Sequence, residues 1–221
     1  TAYLKAKYPA EFMTALLNAE SFDLDRVAIL INECKKMEVE ILPPDINESL
    51  EDFTLIKDSN PKIRFGLSAI KNLSKKAIES IIEERKSNHE FLNIQNFIER
   101  IPQNNLNKKS LETLIKCGTF DALKERQLLF ANIEELLRYS RDVTKKNNSS
   151  QIGLFDSYLN LPPLKLAYAE PATKKEKLKW EKELIGLYIS DHPLNQFKDK
   201  IEKNRARPIK DALLIKNQNL K

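Results

Sequence analysis

The chain has 221 residues, 41% apolar and 31% charged, with a net charge of +5, enough for one large domain or two small ones, each with a core. The apolar share excludes wholesale disorder, and a mean hydropathy of −0.49 without any long apolar run excludes a membrane-spanning helix. Its four glycines compose neither G-x-G-x-x-G nor G-x-x-x-x-G-K, so dinucleotide-binding and Walker phosphate loops are excluded too.

Helical periodicity dominates from the start. Pro9 suits the first turn of a helix whose Phe12, Leu16 and Leu17 share one face. Asp23 or Asp25 caps a second helix with an apolar stripe of Val27, Leu30, Ile31 and Cys34, which makes Cys34 a core thiol. Residues 39–42 read as a short strand stopped by Pro43-Pro44. The runs 53–56 and 62–65 flank the turn-rich Asp58-Ser59-Asn60-Pro61 and predict a small β-hairpin, the only sheet expected. A short helix at 67–70, a tight break at 71–74 and a helix over 75–86 follow, with Ser74 as N-cap. Pro102 ends a helix over 94–101. Asn107 caps 108–117, and Gly118 stands where a left-handed residue is wanted. Leu129, Ile133, Leu136 and Leu137 mark one long amphipathic helix over 128–143. The polar run 145–150 carries no core residue and reads as a linker. Pro162, Pro163 and Pro171 keep the next stretch extended. A strong helix over 174–189 ends before Asp191-His192-Pro193, and a short one passes through Phe197 and Ile201. The fold class is therefore mainly α, helical bundle pieces with a small β-hairpin.

Cys34, Cys117, His89 and His192 are too scattered for a disulfide framework or a metal-ligand cluster. The sequence predicts no catalytic group, no metal and reduced thiols in a cytoplasmic protein. It carries no signal peptide and begins mid-pattern at Thr1, as a fragment would. His192 next to Pro193 has no titratable partner at motif spacing and reads as a helix-terminating polar residue. Trp180, with Leu184 and Leu187, reads as a core anchor. The charge is uneven, −6 over residues 1–52 and +11 over the rest. An acidic head and a basic body point to a polyanion contact in the later part, against the plainer reading of solvated lysine-rich helix faces, Lys145-Lys146 among them.

Two segments carry function. Residues 65–82 have the skeleton of a helix-hairpin-helix, a DNA-binding motif without sequence preference. A tight hairpin aims backbone N–H groups at the positive end of the second helix towards a phosphate. Lys71, Asn72, Leu73, Ser74, Lys75 and Lys76 are the candidate DNA-binding residues, the lysines adding charge that follows the backbone. Asn72 and Ser74 stand where such hairpins usually carry glycine. Asn tolerates the left-handed region, so the turn is allowed. The competing reading is an αα-hairpin whose Leu67, Ile70, Ala77, Ile78 and Ile81 only build core. A second unit, Leu106-Asn107-Lys108-Lys109 with Leu111, Leu114 and Ile115, reads as packing.

The second segment is Gln151-Ile152-Gly153-Leu154-Phe155. An apolar cluster in a polar linker marks a docking peptide. Gln-x-x-Leu-Phe resembles the short motif by which bacterial replication proteins bind the sliding clamp. Ile152, Leu154 and Phe155 would fill an apolar pocket, and Gln151 would hydrogen-bond its rim.

Ordered matches along the chain then carry a wider resemblance. They are residues 1–12, Glu33-Cys34-Lys35-Lys36-Met37, Leu42-Pro43-Pro44-Asp45-Ile46-Asn47, Ile63-Arg64-Phe65-Gly66-Leu67, residues 114–121, residues 180–188 and Ser190-Asp191-His192-Pro193-Leu194. Their order and spacing resemble the alpha subunits of bacterial DNA polymerase III, a family of replicative polymerases. The resemblance implies a distal part of the fingers domain at 1–58 and a helix-hairpin-helix DNA-binding region at 59–144. It further implies a linker with the clamp-binding motif at 145–173, a helical segment at 174–206 and the start of a truncated OB-fold at 207–221. It implies duplex DNA, the sliding clamp (beta subunit) and other replisome subunits as partners, with no membrane. The family's paired palm aspartates, which hold Mg2+ for nucleotidyl transfer, match nothing here, so the fragment itself is expected to be inactive and to need no cofactor. The alternative function is a helical interaction scaffold without DNA contact.

Overall fold

The computed structural model describes residues 2–148, 162–191, 193–197, 200 and 203–204. Residues 1–190 form one compact unit and 191–221 a second. The second shows, among its described residues, a 3₁₀ turn over Asn195–Phe197.

The head begins with α1 (Ala2–Lys7), an element the periodicity did not announce. Pro9 then opens α2 (Pro9–Ala19), which buries Ala10, Met13 and Leu17. Of the two candidate caps for α3 (Leu24–Lys36), Asp23 does the work: its carboxylate accepts the N–H groups of Asp25 and Arg26 at 3.0 and 3.1 Å. The expected hairpin forms from β2 (Thr54–Ile56) and β3 (Lys62–Arg64), paired antiparallel with Leu55 opposite Ile63. It is not alone. The strand β1 (Glu40–Leu42) adds to the other edge of β3 in parallel, giving the order β1-β3-β2. Ile63, fully buried, is thus the centre of a three-stranded sheet.

A 3₁₀ turn (Leu67–Ala69) leads into α4 (Lys75–Asn88), followed by α5 (Ile94–Arg100) and α6 (Lys108–Cys117). The single helix expected over 128–143 is two: α7 (Arg126–Ala131) and α8 (Ile133–Asn148). The break has a tertiary cause. Asn132 leaves helical geometry (φ −102°, ψ 18°) while its amide binds the backbone of Ala167 twice, accepting at 2.7 Å and donating at 2.8 Å. The first residues expected in a linker, 145–148, are instead the last turn of α8.

Residues 162–173 are extended, as their prolines require, and form a strap across the helices. Its Leu164 N–H donates to Gln95 Oε1 and its Ala172 N–H to Glu125 Oε1, both at 3.1 Å, while Leu164 and Leu166 pack on the core. Burial pushes the Glu125 carboxyl up, but the Leu128 N–H, the Lys177 ammonium and the Ala172 N–H outweigh it and hold its pKa below the ordinary value. The helix α9 (Lys174–Leu184) opens with a capping box between Thr173 and Glu176. It stops five residues before the expected end. Gly186 turns the chain at φ +85°, and Glu181 Oε2 accepts the N–H groups of Ile189 and Ser190, both at 3.1 Å.

Among the described residues two apolar clusters result. One joins α2, α3 and the sheet to Leu184, Ile185 and Leu187; the other gathers α5 to α8 around Phe91, Phe97 and Phe120. Between α6 and α9 lies a buried ionic network. Arg126, 3% exposed, bonds Asp121 through Nε and Nη2 and bonds Glu181 (1% exposed) and the Lys116 carbonyl through Nη1. Burial draws down the Arg126 pKa, yet Asp121 and then Glu181 more than offset it, and the net shift is upward. Gly118 makes room: it sits at φ +87°, and a Cβ there would lie 2.3 Å from Arg126 Nη2. Removing one partner leaves a buried carboxylate uncompensated, so Arg126→Ala should cost about 3–5 kcal/mol in urea unfolding, whereas Arg126→Met with Glu181→Leu should cost markedly less.

Candidate nucleic-acid interface

The candidate DNA-binding residues form one continuous turn, exposed except at Leu73. The 3₁₀ turn buries Leu67 and Ala69, and Ile70 follows in extended geometry. The Lys71 N–H then donates to the carbonyl of Leu184, the last residue of α9, at 3.0 Å. Asn72 takes the left-handed conformation (φ +62°) that a glycine would otherwise supply. Leu73, half-buried, packs against both apolar clusters and so pins the hairpin to the body. Ser74 needs no glycine: it is extended (φ −78°, ψ 148°), and its Oγ accepts the Ala77 N–H at 3.2 Å as the N-cap of α4. Its presence is thus a cap rather than a substitution that spoils the turn.

Lys71, Asn72, Ser74, Lys75 and Lys76 are exposed, while Ala77, Ile78, Ile81 and Ile82 carry α4 into the core. One face of this segment thus builds core and the other faces solvent. The first-turn amides of Lys75 and Lys76 lie at the positive end of a 14-residue helix, where N–H groups have no intrahelical acceptor and an anion is favoured. Lys75 Nζ lies 3.8 Å from Glu79, an exposed i,i+4 pair of little strength that yields readily to a phosphate.

The second unit repeats the construction. After α5, a turn closed by the Asn105 N–H on Pro102 and the Leu106 N–H on Gln103 leads to Asn107, whose side chain accepts the Ser110 N–H at 2.8 Å. Its first lysine is spoken for: Lys108 is hydrogen-bonded to Glu134 of α8, an exposed contact that raises the lysine pKa and lowers that of the carboxyl. Lys109 remains exposed, and α6 buries Leu111, Leu114 and Ile115 as the packing reading requires.

Gln151, Ile152, Leu154 and Phe155 lie outside the described residues, as do His192, Ile201 and 207–221. Trp180 is half-buried, its ring tilted against Phe130 at 5.9 Å, with Lys116 Nζ 4.3 Å from the Phe130 centroid on its own account. Lys145 and Lys146 are exposed on the last turn of α8. Both thiols are buried, and burial pushes Cys34 up to about 11 and Cys117 up to about 12, which keeps them protonated. Among the described residues no group of three or more His, Cys, Asp and Glu side chains is arranged to hold a metal, and no helix is long and apolar enough to cross a membrane. Sequence reasoning missed the Lys71–Leu184 bond and the Lys108–Glu134 pair, which join residues 113 and 26 positions apart and leave no local signal.

Residues 38–129 match the sequence profile of the helix-hairpin-helix motif, which takes in both turns. Nearly all of the chain is also similar to a segment of much longer proteins. These include the DNA polymerase III subunit alpha of Thermus aquaticus, 40% identical over 197 residues (89% of this chain, 16% of that protein). They also include those of Campylobacter jejuni, 37% identical over 91% of this chain and 17% of that protein, and Borreliella burgdorferi, 35% identical over all of this chain and 19% of that protein. The chain thus spans under a fifth of the length of these relatives.

The turn geometry fixes what substitutions should do. Asn72→Gly should be near neutral, whereas Asn72→Val should lose about 1–2 kcal/mol because a β-branched residue resists positive φ. Ser74→Ala should lose about 1 kcal/mol with the cap. Urea midpoints at constant slope check all three.

Proposed function

We propose that this chain, homologous over most of its length to one segment of DNA polymerase III alpha subunits, grips duplex DNA without sequence preference and tethers a replicative polymerase to its sliding clamp. One observation carries the DNA part: a turn matching the helix-hairpin-helix motif presents Lys71, Lys75, Lys76 and the capped N-terminus of α4 together on an exposed surface. Ammonium groups on flexible stems and backbone amides bind phosphate and carry no base information. The polymerase chemistry itself belongs, in this reading, to the longer protein. No stretch of this chain resembles the paired aspartates that would hold metal ions.

The tethering part rests on Gln151, Ile152, Leu154 and Phe155. It is supported by their resemblance to a clamp-docking peptide and by their place in the sequence. The segment falls between α8, which ends at Asn148, and the strap, which is bonded to the same body from Leu164 onwards. Clamp and duplex would therefore be held by one unit. Tethering raises the effective concentration of polymerase at the primer end and so gives processivity. The reading as a scaffold without DNA contact draws on a specific fact, the neutralisation of Lys108 by Glu134 in the second turn.

Two measurements check this. Duplex affinity should fall linearly with log salt, and Lys71→Gln with Lys76→Gln should reduce that slope by about 1.8, equally for unrelated sequences. An unmodified chain that binds no duplex at low salt would leave the scaffold reading. Leu154→Ala with Phe155→Ala should abolish binding to the clamp in calorimetry, and an unchanged dissociation constant would remove the tether.

A further inference from the structure

The basic surface does not end at the hairpin. Because the Lys71 N–H is bonded to the Leu184 carbonyl, the C-terminal turn of α9 abuts the first hairpin. One face of α9 is spent on the interior, with Leu178, Glu181 and Leu184 buried. A different face carries Lys175, Lys179 and Lys182, all exposed. They stand at i, i+4 and i+7, a stripe of about 10 Å along the helix.

The charge of this stripe is only partly offset by its own helix. Glu176 is held in the capping box by Thr173, which donates to it through N and Oγ1 at 2.8 and 2.6 Å. Glu181 is enclosed with Arg126. Lys177 turns away from the stripe to Glu125, at 3.1 Å. Glu183 is the exception: it is exposed four residues after Lys179, at the flank of the stripe, so three ammonium groups stand beside one open carboxylate. Lys182 is fixed at the hairpin end, donating to the Gly186 carbonyl at 2.7 Å with the Tyr188 ring 5.9 Å away.

We infer that the Lys175–Lys179–Lys182 stripe is a second phosphate-contacting surface for duplex DNA, continuous with the first hairpin and following the backbone away from it. This rests on the DNA reading of the hairpin. The occupant is argued from charge complementarity and continuity. Duplex DNA offers a negative charge about every 1.7 Å of its axis, so a row of point charges beside an anion-binding helix end meets phosphates in series. Such a row adds affinity and salt dependence and no sequence preference.

The test uses the full 221-residue chain and a duplex of arbitrary sequence, titrated over a salt series. The variant Lys175→Gln/Lys179→Gln/Lys182→Gln should reduce the slope of log affinity against log salt by about 2.7, and should bind at least about tenfold more weakly at low salt. Lys7→Gln/Lys35→Gln/Lys57→Gln, a head control that removes the same charge from exposed positions of the head and the adjoining sheet turn, should leave both nearly unchanged. Because Lys182 also holds the Gly186 turn, Lys175→Gln/Lys179→Gln serves as a version that leaves the turn alone, with an expected slope loss of about 1.8. Thermal melts by circular dichroism confirm that each variant is folded. If the stripe variants match the head control while Lys71→Gln/Lys76→Gln still weakens binding, the hairpin reading stands and this inference is overturned. If the unmodified chain binds no duplex at all, both are overturned.

Discussion

The ion cluster centred on Arg126 decides how the later half of this molecule is assembled. A guanidinium that is almost wholly enclosed holds Asp121 and the Lys116 carbonyl on the α6 side and Glu181 on α9. Glu181 in turn uses its other oxygen to accept two backbone N–H groups from Ile189 and Ser190, which bends the chain back at the end of α9. The same helix end accepts the Lys71 N–H. A path of polar contacts therefore runs from the middle of the bundle to the exposed hairpin. A buried ion pair of this kind adds little net stability over an apolar replacement, but losing one of its partners leaves the other charge buried and uncompensated.

The consequence is that the hairpin is positioned by parts of the chain far from it in sequence. Leu73 touches both apolar clusters, and Leu184 stands behind Lys71. Local chemistry shapes the turn itself: Asn72 takes the positive φ, and Ser74 closes the first turn of α4. With the backbone so fixed, amides and ammonium groups are presented without reorganisation.

Electrostatics separates the two turns that share this architecture. At the first, the lysines face solvent, and Lys75 has only a loose partner in Glu79. At the second, Lys108 is engaged by Glu134, and the turn serves mainly to lay α6 into the core. One motif is thus used twice, once outward and once inward. The strap works by the opposite principle. Its prolines prevent regular structure, so its backbone groups are bonded to side chains of Gln95, Asn132 and Glu125 instead.

How much of this was legible in the sequence follows from the range of the forces involved. Caps, turns and amphipathic faces depend on neighbours within a few residues, and so Ser74, Asn107 and Gly118 could each be assigned their place, as could the hairpin of β2 and β3, and the cap of α3 could be narrowed to Asp23 or Asp25. The expected long helix over 128–143 failed at Asn132, because the amide of that residue is claimed by Ala167, 35 positions away. The last helix was drawn too long because Glu181 captures the backbone beyond it. The parallel addition of β1 and the Arg126 network were illegible for the same reason. The sequence by itself determined most of the helical segments, most of their caps and the turn in which the candidate lysines stand, since those properties are set by local backbone chemistry. Only the tertiary structure decided which lysines are left open and which are neutralised, because that depends on carboxylates and carbonyls brought together across the fold.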